Sequence, residues 1–296
     1  MSFSLILQYF LSGITSGSIY AIVAIGFNII YNTTGIINFA QGEFVMLGAM
    51  TAISLSPFMP LPLAIACAVG ITAAIGALVE LLFIRWLKSP SVLRMIIITI
   101  GLSILLREAA LHVWDEKVRA LKFFTGNECS SIAIFGAYIS PQVLWVLGTC
   151  AAMVILLSLF FRYTLTGRSM RACSANRTAA VLCGISVKNM VTFSFMLSAA
   201  IGALAGCVIS PLTQTQYECG TPLAIKGFTV AILGGLGNST AAVASGLLLG
   251  IIEAFSISVL PVAYKDVIAI TILLAILFFK PAGLFGSKEA GALKEF

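Results

Sequence analysis

Two stretches and one isolated carboxylate hold the residues with chemistry to offer. The first is "YNTTGIINFAQGEFVMLGA", residues 31–49, which sets Asn32, Thr33, Thr34, Asn38, Gln41 and Glu43 in or beside an apolar run. Polar groups at membrane depth cost free energy unless they pair or line a wet cavity. On a helix, Asn38, Gln41 and then Phe44 or Val45 fall on one face, which would present Asn38 and Gln41 together. The pattern suits the lining of a substrate path, or equally the capping of a helix start at the membrane surface. The second stretch is "GRSMRACSANRTAAVLCGISVKNM", residues 167–190, carrying Arg168, Arg171, Arg177 and Lys188 without an acid. Its Ala, Arg and Ser content, free of proline, predicts a short helix ending on a glycine cap at Gly184. A basic face beside a small-residue face fits docking into a groove on another protein, and also fits a solvated loop. The isolated carboxylate is Glu253, well inside the apolar run 241–260, a further candidate for lining a path. Glu80 and Glu108 lie close to Arg85 and Arg107 and read as paired or solvated near span ends.

The elements that must position these residues are membrane helices. Of 296 residues, 60% are hydrophobic and 9% charged, against about 45–50% and about 25% in soluble domains. Apolar runs sit near 5–30, 37–56, 62–86, 93–114, 141–162, 191–212, 223–236, 241–260 and 266–280. Most approach the ~20 residues that a spanning helix needs. They are continuous rather than alternating, which excludes a β-barrel. The expected fold is therefore all-α, a polytopic helical membrane protein forming a single domain over 1–296. It has eight or nine segments, depending on whether 31–43 or 223–236 is re-entrant. "MSFSLILQYFLSGITSGSIYA" lacks the basic start of a signal peptide and reads as a retained first span.

Lys/Arg excess marks the cytoplasmic side. The link 84–94 (Arg85, Lys88, Arg94), the segment 162–190 and the basic tail are placed inside. The balanced segments 115–140 and 213–226, the latter with Glu218 against Lys226, are placed outside. Nine crossings then put the N-terminus outside and the C-terminus in the cytoplasm. The net charge of +6 is the signature of that rule rather than of nucleic-acid binding. Of seven cysteines none forms a CxxC pair, so no zinc or redox site is read. Cys129 and Cys219 alone fall in outside loops, paired or as two free thiols. The glycine-rich "KGFTVAILGGLGNST" lacks the lysine of a phosphate-binding loop. The single histidine, His112, has no ligand-spaced partners, so neither a cofactor nor a catalytic constellation is expected. "GITSG", "GALAG" and "GLLLG" are small-xxx-small pairs that let helices approach closely. No internal repeat is evident.

Three blocks, in order, carry a family resemblance: "GIINFAQGEFVMLGA"; "GRSMRACSANRTAAVLCGIS"; and "AILGGLGNSTAAVASGLLLGIIEA" with "YKDVIAITILLAILFFKPAGLFG". Through them the chain resembles the integral-membrane permeases of branched-chain amino-acid ABC importers of the high-affinity Liv type, nearer the H-type subunit. The resemblance implies an ABC importer permease bundle that is itself not an enzyme. It implies a second permease subunit of the M type, two ATP-binding subunits and a periplasmic substrate-binding protein, at a bacterial inner membrane. It also implies that 163–190 is the cytoplasmic coupling loop. Thr178, Ala179, Ala180 and Gly184 keep the spacing of the general EAA-type motif, with Thr178 where that motif has Glu and its hydrophobic-proline ending missing. Asn38, Gln41, Glu43 and Glu253 are then the path candidates. Arg168, Arg171, Arg177, Thr178, Ala179, Ala180 and Gly184 are the coupling candidates. Related permeases for urea or short amides remain an alternative. So do a passive channel, which would show duplicated half-helix motifs, and an ion-coupled carrier, which would need Glu253 or Glu43.

Overall fold

The computed structural model describes residues 3–87, 92–127, 129–134, 136–258, 261, 264–280 and 283–285. Lys88 and the basic tail after Phe285 lie outside the described residues. The apolar runs form α1 (Phe3–Thr34), α2 (Gln41–Leu55), α3 (Leu61–Val79), α4 (Val92–Trp114) and α5 (Pro141–Tyr163). After α6 (Leu165–Ala175) and α7 (Arg177–Leu182) come α8 (Val187–Thr213), α9 (Gly220–Gly234), α10 (Ser239–Ser256) and α11 (Lys265–Phe279). One π-helical turn, Glu80–Ile84, prolongs α3. A small antiparallel hairpin, β1 (Ile132–Ile134) and β2 (Ala137–Ile139), lies in the 115–140 segment.

All nine apolar runs are helical, but they differ in reach. Among the described residues six helices are long and apolar enough to cross a membrane. The runs at 37–56, 223–236 and 266–280 yield helices of 15 residues each. Such a helix is about 22 Å long, short of the ~30 Å hydrocarbon layer. Every residue of α1 from Gly17 to Ile30 is buried, as expected of a helix that is apolar all round. By contrast α4 and α5 expose most of their apolar surface, including Ile97, Ile104, Leu105 and Leu156, and so form the perimeter.

Packing contacts set the helix directions. Gln41 meets Ser198, Val45 meets Gly202 and Gly206, and Gly48 meets Ala203, so α2 runs parallel to α8. Gly227 packs on Val23, and Gly237, just past α9, on Asn32, so α9 runs parallel to α1. Each long helix, α1 or α8, is thus followed by a six-residue break and a short helix that turns back antiparallel to it. The two units point in opposite directions, an inverted arrangement that no sequence repeat revealed.

Two of the small-residue pairs pack on each other. Gly13 and Gly17 of α1 face Gly246 and Gly250 of α10; a Cβ at Gly13 would sit 2.7 Å from Ile251 Cα, and one at Gly17 2.7 Å from Leu247 Cα. The third pair, Gly202 and Gly206, seats α2. Because the obstacle is backbone, a large side chain must push the helices apart. Gly17→Leu is expected to destabilise the bundle by about 1–3 kcal/mol, read as a lowered thermal midpoint in detergent. Gly70→Leu, whose Cβ would meet nothing within 4 Å, is the matched control.

Candidate translocation and coupling sites

Two short helices meet N-terminus to N-terminus inside the bundle. α2 opens at Gln41 and α9 at Gly220. A Cβ on Gly220 would lie 2.7 Å from both Glu43 Oε2 and the Gly42 carbonyl oxygen. The depth of this junction follows from its partners: Ser103 is twelfth of 23 residues in α4, and Ser198 twelfth of 27 in α8. The junction is therefore near the middle of both helices.

Glu43 is the hub. Its Oε1 accepts from Ser103 Oγ at 2.9 Å and from Thr221 Oγ1 at 3.2 Å, linking α2, α4 and α9. The residue is 1% exposed and Oε2 has no hydrogen-bond partner among the described residues. Neither α2 nor α9 has a side-chain cap at its N-cap residue; the Gln41 and Glu43 N–H groups turn to the Asn38 and Ala40 carbonyl oxygens, and the positive ends of the two helix dipoles lie beside this carboxylate. Gln41 is fully buried, with Nε2 donating to the Ser198 carbonyl oxygen at 3.2 Å. The Ser198 hydroxyl lies 2.6 Å from Gln41 Oε1 and 2.8 Å from the Gly26 carbonyl oxygen. Its single proton can serve one of them at a time. Asn38 does not share a helical face with Gln41 as expected. It lies in the turn before α2, where its Oδ1 accepts from the Ala40 N–H at 3.2 Å. Its buried Nδ2 has no partner among the described residues.

Glu253 lies apart from this trio, in a charge cluster not expected from the sequence. Lys226, expected in an outside loop, is inside α9 and nearly buried. Its Nζ reaches Glu253 Oε1 at 2.7 Å, Asp266 Oδ1 at 2.8 Å and Tyr20 Oη at 3.3 Å. Lys265 Nζ stands 3.5 Å from the same Glu253 oxygen. The cluster ties α1, α9, α10 and α11. A lysine inside the apolar run "LAIKGFTVAIL" was the available signal, because an intramembrane charge implies a partner. Glu80 is likewise buried, accepting from Thr192 Oγ1 of α8 at 2.6 Å.

The basic stretch forms two helices instead of one. Asn176 breaks them and caps α7, its Oδ1 accepting from the Ala179 N–H at 2.9 Å. After α7, Ile185 N–H donates to the Ala180 carbonyl and Gly184 N–H to the Val181 carbonyl, with Gly184 at φ +80°. This is the Schellman closure that glycine favours. Met170 and Cys173 turn α6 inward, while Arg168, Arg171, Arg177, Thr178 and Ala179 are exposed. Ala180 is buried at 2%, whereas Val181 and Leu182 are 57% and 84% exposed. The apolar tip of α7 is therefore Val181–Leu182, two residues not singled out from the sequence. Cys129 and Cys219 are free thiols.

Broken helices that bring polar groups to mid-depth inside a polytopic bundle define a membrane transport permease. The chain belongs to the family described as "Branched-chain amino acid transport system / permease component", which matches residues 9–277. It is 35% identical to the high-affinity branched-chain amino acid transport system permease protein BraD of Pseudomonas aeruginosa, over 96% of each chain. It is 32% identical to the permease protein LivH of Escherichia coli K12, again over 96% of each. Among solved structures it is similar to PsaBC from Streptococcus pneumoniae in complex with Fab, at 14% identity and a TM-score of 0.49, covering 95% of this chain and 94% of that one.

Proposed function

We propose that the chain is the membrane subunit of an ATP-driven importer that passes branched-chain amino acids delivered by a periplasmic binding protein. Two ATP-binding subunits hydrolyse the ATP, and a second, M-type permease completes the pore. The observation that carries the reading is the end-to-end similarity to permeases named for branched-chain amino acids. In this reading the membrane is the bacterial inner membrane, the N-terminus is periplasmic and the C-terminus and 163–190 are cytoplasmic. The α2–α9 junction with Asn38, Gln41 and Glu43 borders the path. A zwitterion passing there would meet the Glu43 carboxylate and the positive ends of two short helices, complementary to its ammonium and carboxylate. Glu253 acts from the α9–α10 side of the same helix set. Coupling runs through α6–α7, where Arg168, Arg171, Thr178 and Ala179 face the ATPase and Arg177 opens α7 on the side of Arg85 and Lys188. Ala180 and Gly184 fix the shape of α7. Only contacts that differ between the two states can drive switching, so α7 must hold its partner throughout.

The test is co-purification of the ATPases with wild type and with Leu182→Glu. Leu182 has almost no internal contact to lose, and as an apolar anchor it is expected to cost at least about 30-fold in association, with an unchanged thermal midpoint. Ala180→Asp would instead bury a charge and unfold α7. A Leu182→Glu protein that keeps its ATPase at wild-type level would remove α7 from the interface. Uptake that stops on ATP depletion and survives a protonophore separates this importer from an ion-coupled carrier.

A further inference from the structure

At the end of the bundle that carries α7, residues of the π turn after α3, of α7 and of the starts of α4 and α8 line a cleft of about 240 Å³. Three cations line it, Arg85, Arg177 and Lys188, against one carboxylate, Glu80. Glu80 is 2% exposed and its Oε2 is already taken by Thr192. The three cations are exposed, and none makes an ion pair among the described residues. The rest of the lining is largely apolar, including Ile84, Met95 and Val191. The π turn bonds Arg85 N–H to the Glu80 carbonyl oxygen at 2.8 Å, and such insertions often mark functional sites.

The position argues for lipid over a soluble anion. Arg85 follows Leu82 and Phe83, which are 64% and 42% exposed, and precedes Trp86 at 78%. On α4, Leu93 and Ile97 are exposed on either side of buried Met95. The cleft therefore opens on the apolar perimeter, at the level where an exposed tryptophan marks the headgroup layer. Cations above apolar walls between membrane helices match an anionic headgroup with its first acyl carbons. A solvated cluster obeying the positive-inside rule needs no such walls.

We propose that this cleft seats one anionic phospholipid of the leaflet on the α7 side, its phosphate between Arg85, Arg177 and Lys188. Because Arg177 opens α7, the lipid ties that helix to the π turn and to α8. That consequence rests on the coupling reading above, while the site itself does not.

The test is native mass spectrometry of the full chain in mild detergent with mixed phosphatidylglycerol and phosphatidylcholine. Wild type is expected to keep about one phosphatidylglycerol in preference to phosphatidylcholine, and Arg85→Gln/Lys188→Gln to keep it about 10-fold less or weaker still. Equal retention by the double variant overturns the site. So does equal retention of the zwitterionic lipid by wild type, a comparison that needs no variant. Displacement by millimolar inorganic phosphate would make it a free-anion site and overturn the lipid assignment. Association with the ATPases, measured separately through Leu182→Glu, distinguishes failure here from failure of the importer reading.

Discussion

Lys226→Met is expected to destabilise the protein by about 3–5 kcal/mol, the cost of breaking a buried ion pair from one side. The ammonium has three donors, and three acceptors surround it: Glu253, Asp266 and Tyr20. Without it, Glu253, 1% exposed, keeps Lys265 at 3.5 Å as its one cation among the described residues. The stranded carboxylate, not the lost attraction, sets the magnitude. Removing the other charge as well, in Lys226→Met/Glu253→Leu, is therefore expected to recover most of the loss. Unfolding midpoints of the wild type, the two single variants and the double variant form the cycle that measures this. Additive losses would show that the pair is not coupled. Uptake by the double variant bears on mechanism as well: if it transports, Glu253 is an anchor between helices and an ion-coupled mechanism through it is ruled out.

Glu43→Leu is the second large effect. The substitution leaves the Ser103 and Thr221 hydroxyls without their acceptor and removes the carboxylate that faces the α2–α9 junction. Two lost charge-assisted bonds at roughly 1.5–3 kcal/mol each, with helix-end terms of up to ~2 kcal/mol, amount to about 3–8 kcal/mol. Part of that falls on folding and part on the arrangement of the path, so uptake is expected to drop by about 100-fold or more. Glu43→Gln keeps the shape and an acceptor oxygen, and should retain most of the stability. Initial uptake rates normalised to protein in the membrane, beside thermal midpoints, separate the two variants. Wild-type uptake by Glu43→Leu would dismiss the junction as part of the path. Full loss in a stable Glu43→Gln would show that the charge itself is required.

The inverted arrangement leaves no repeat in the sequence for a physical reason. α1 and α8 are both long and apolar, but each answers to its own neighbours. Gly13 and Gly17 pack on α10, while Gly202 and Gly206 seat α2. Close approach demands a small residue wherever a partner backbone passes, and the partners differ. The geometry repeats while the side chains do not. The same logic separates the glycine pairs from one another. Small-xxx-small spacing is visible in the chain, but which helix each pair meets depends on contacts over more than about a hundred and fifty residues.

Composition and run length by themselves determined that this is a helical membrane protein, because about 20 apolar residues with internally satisfied backbone can lie only across a bilayer. Charge imbalance and residue types likewise marked 163–190 as an exposed basic element and 31–43 as a polar break. Only the tertiary structure decided that two of the expected spans are short helices meeting head to head. Only it put Lys226 inside beside Glu253, gave Glu43 its partners on α4 and α9, and turned Ala180 inward while leaving Leu182 out. A helix run specifies its own hydrogen bonds, since its partners are four residues away. A buried polar side chain is satisfied by whichever helix packs beside it, and Glu43 and Thr221 are 178 residues apart in the chain.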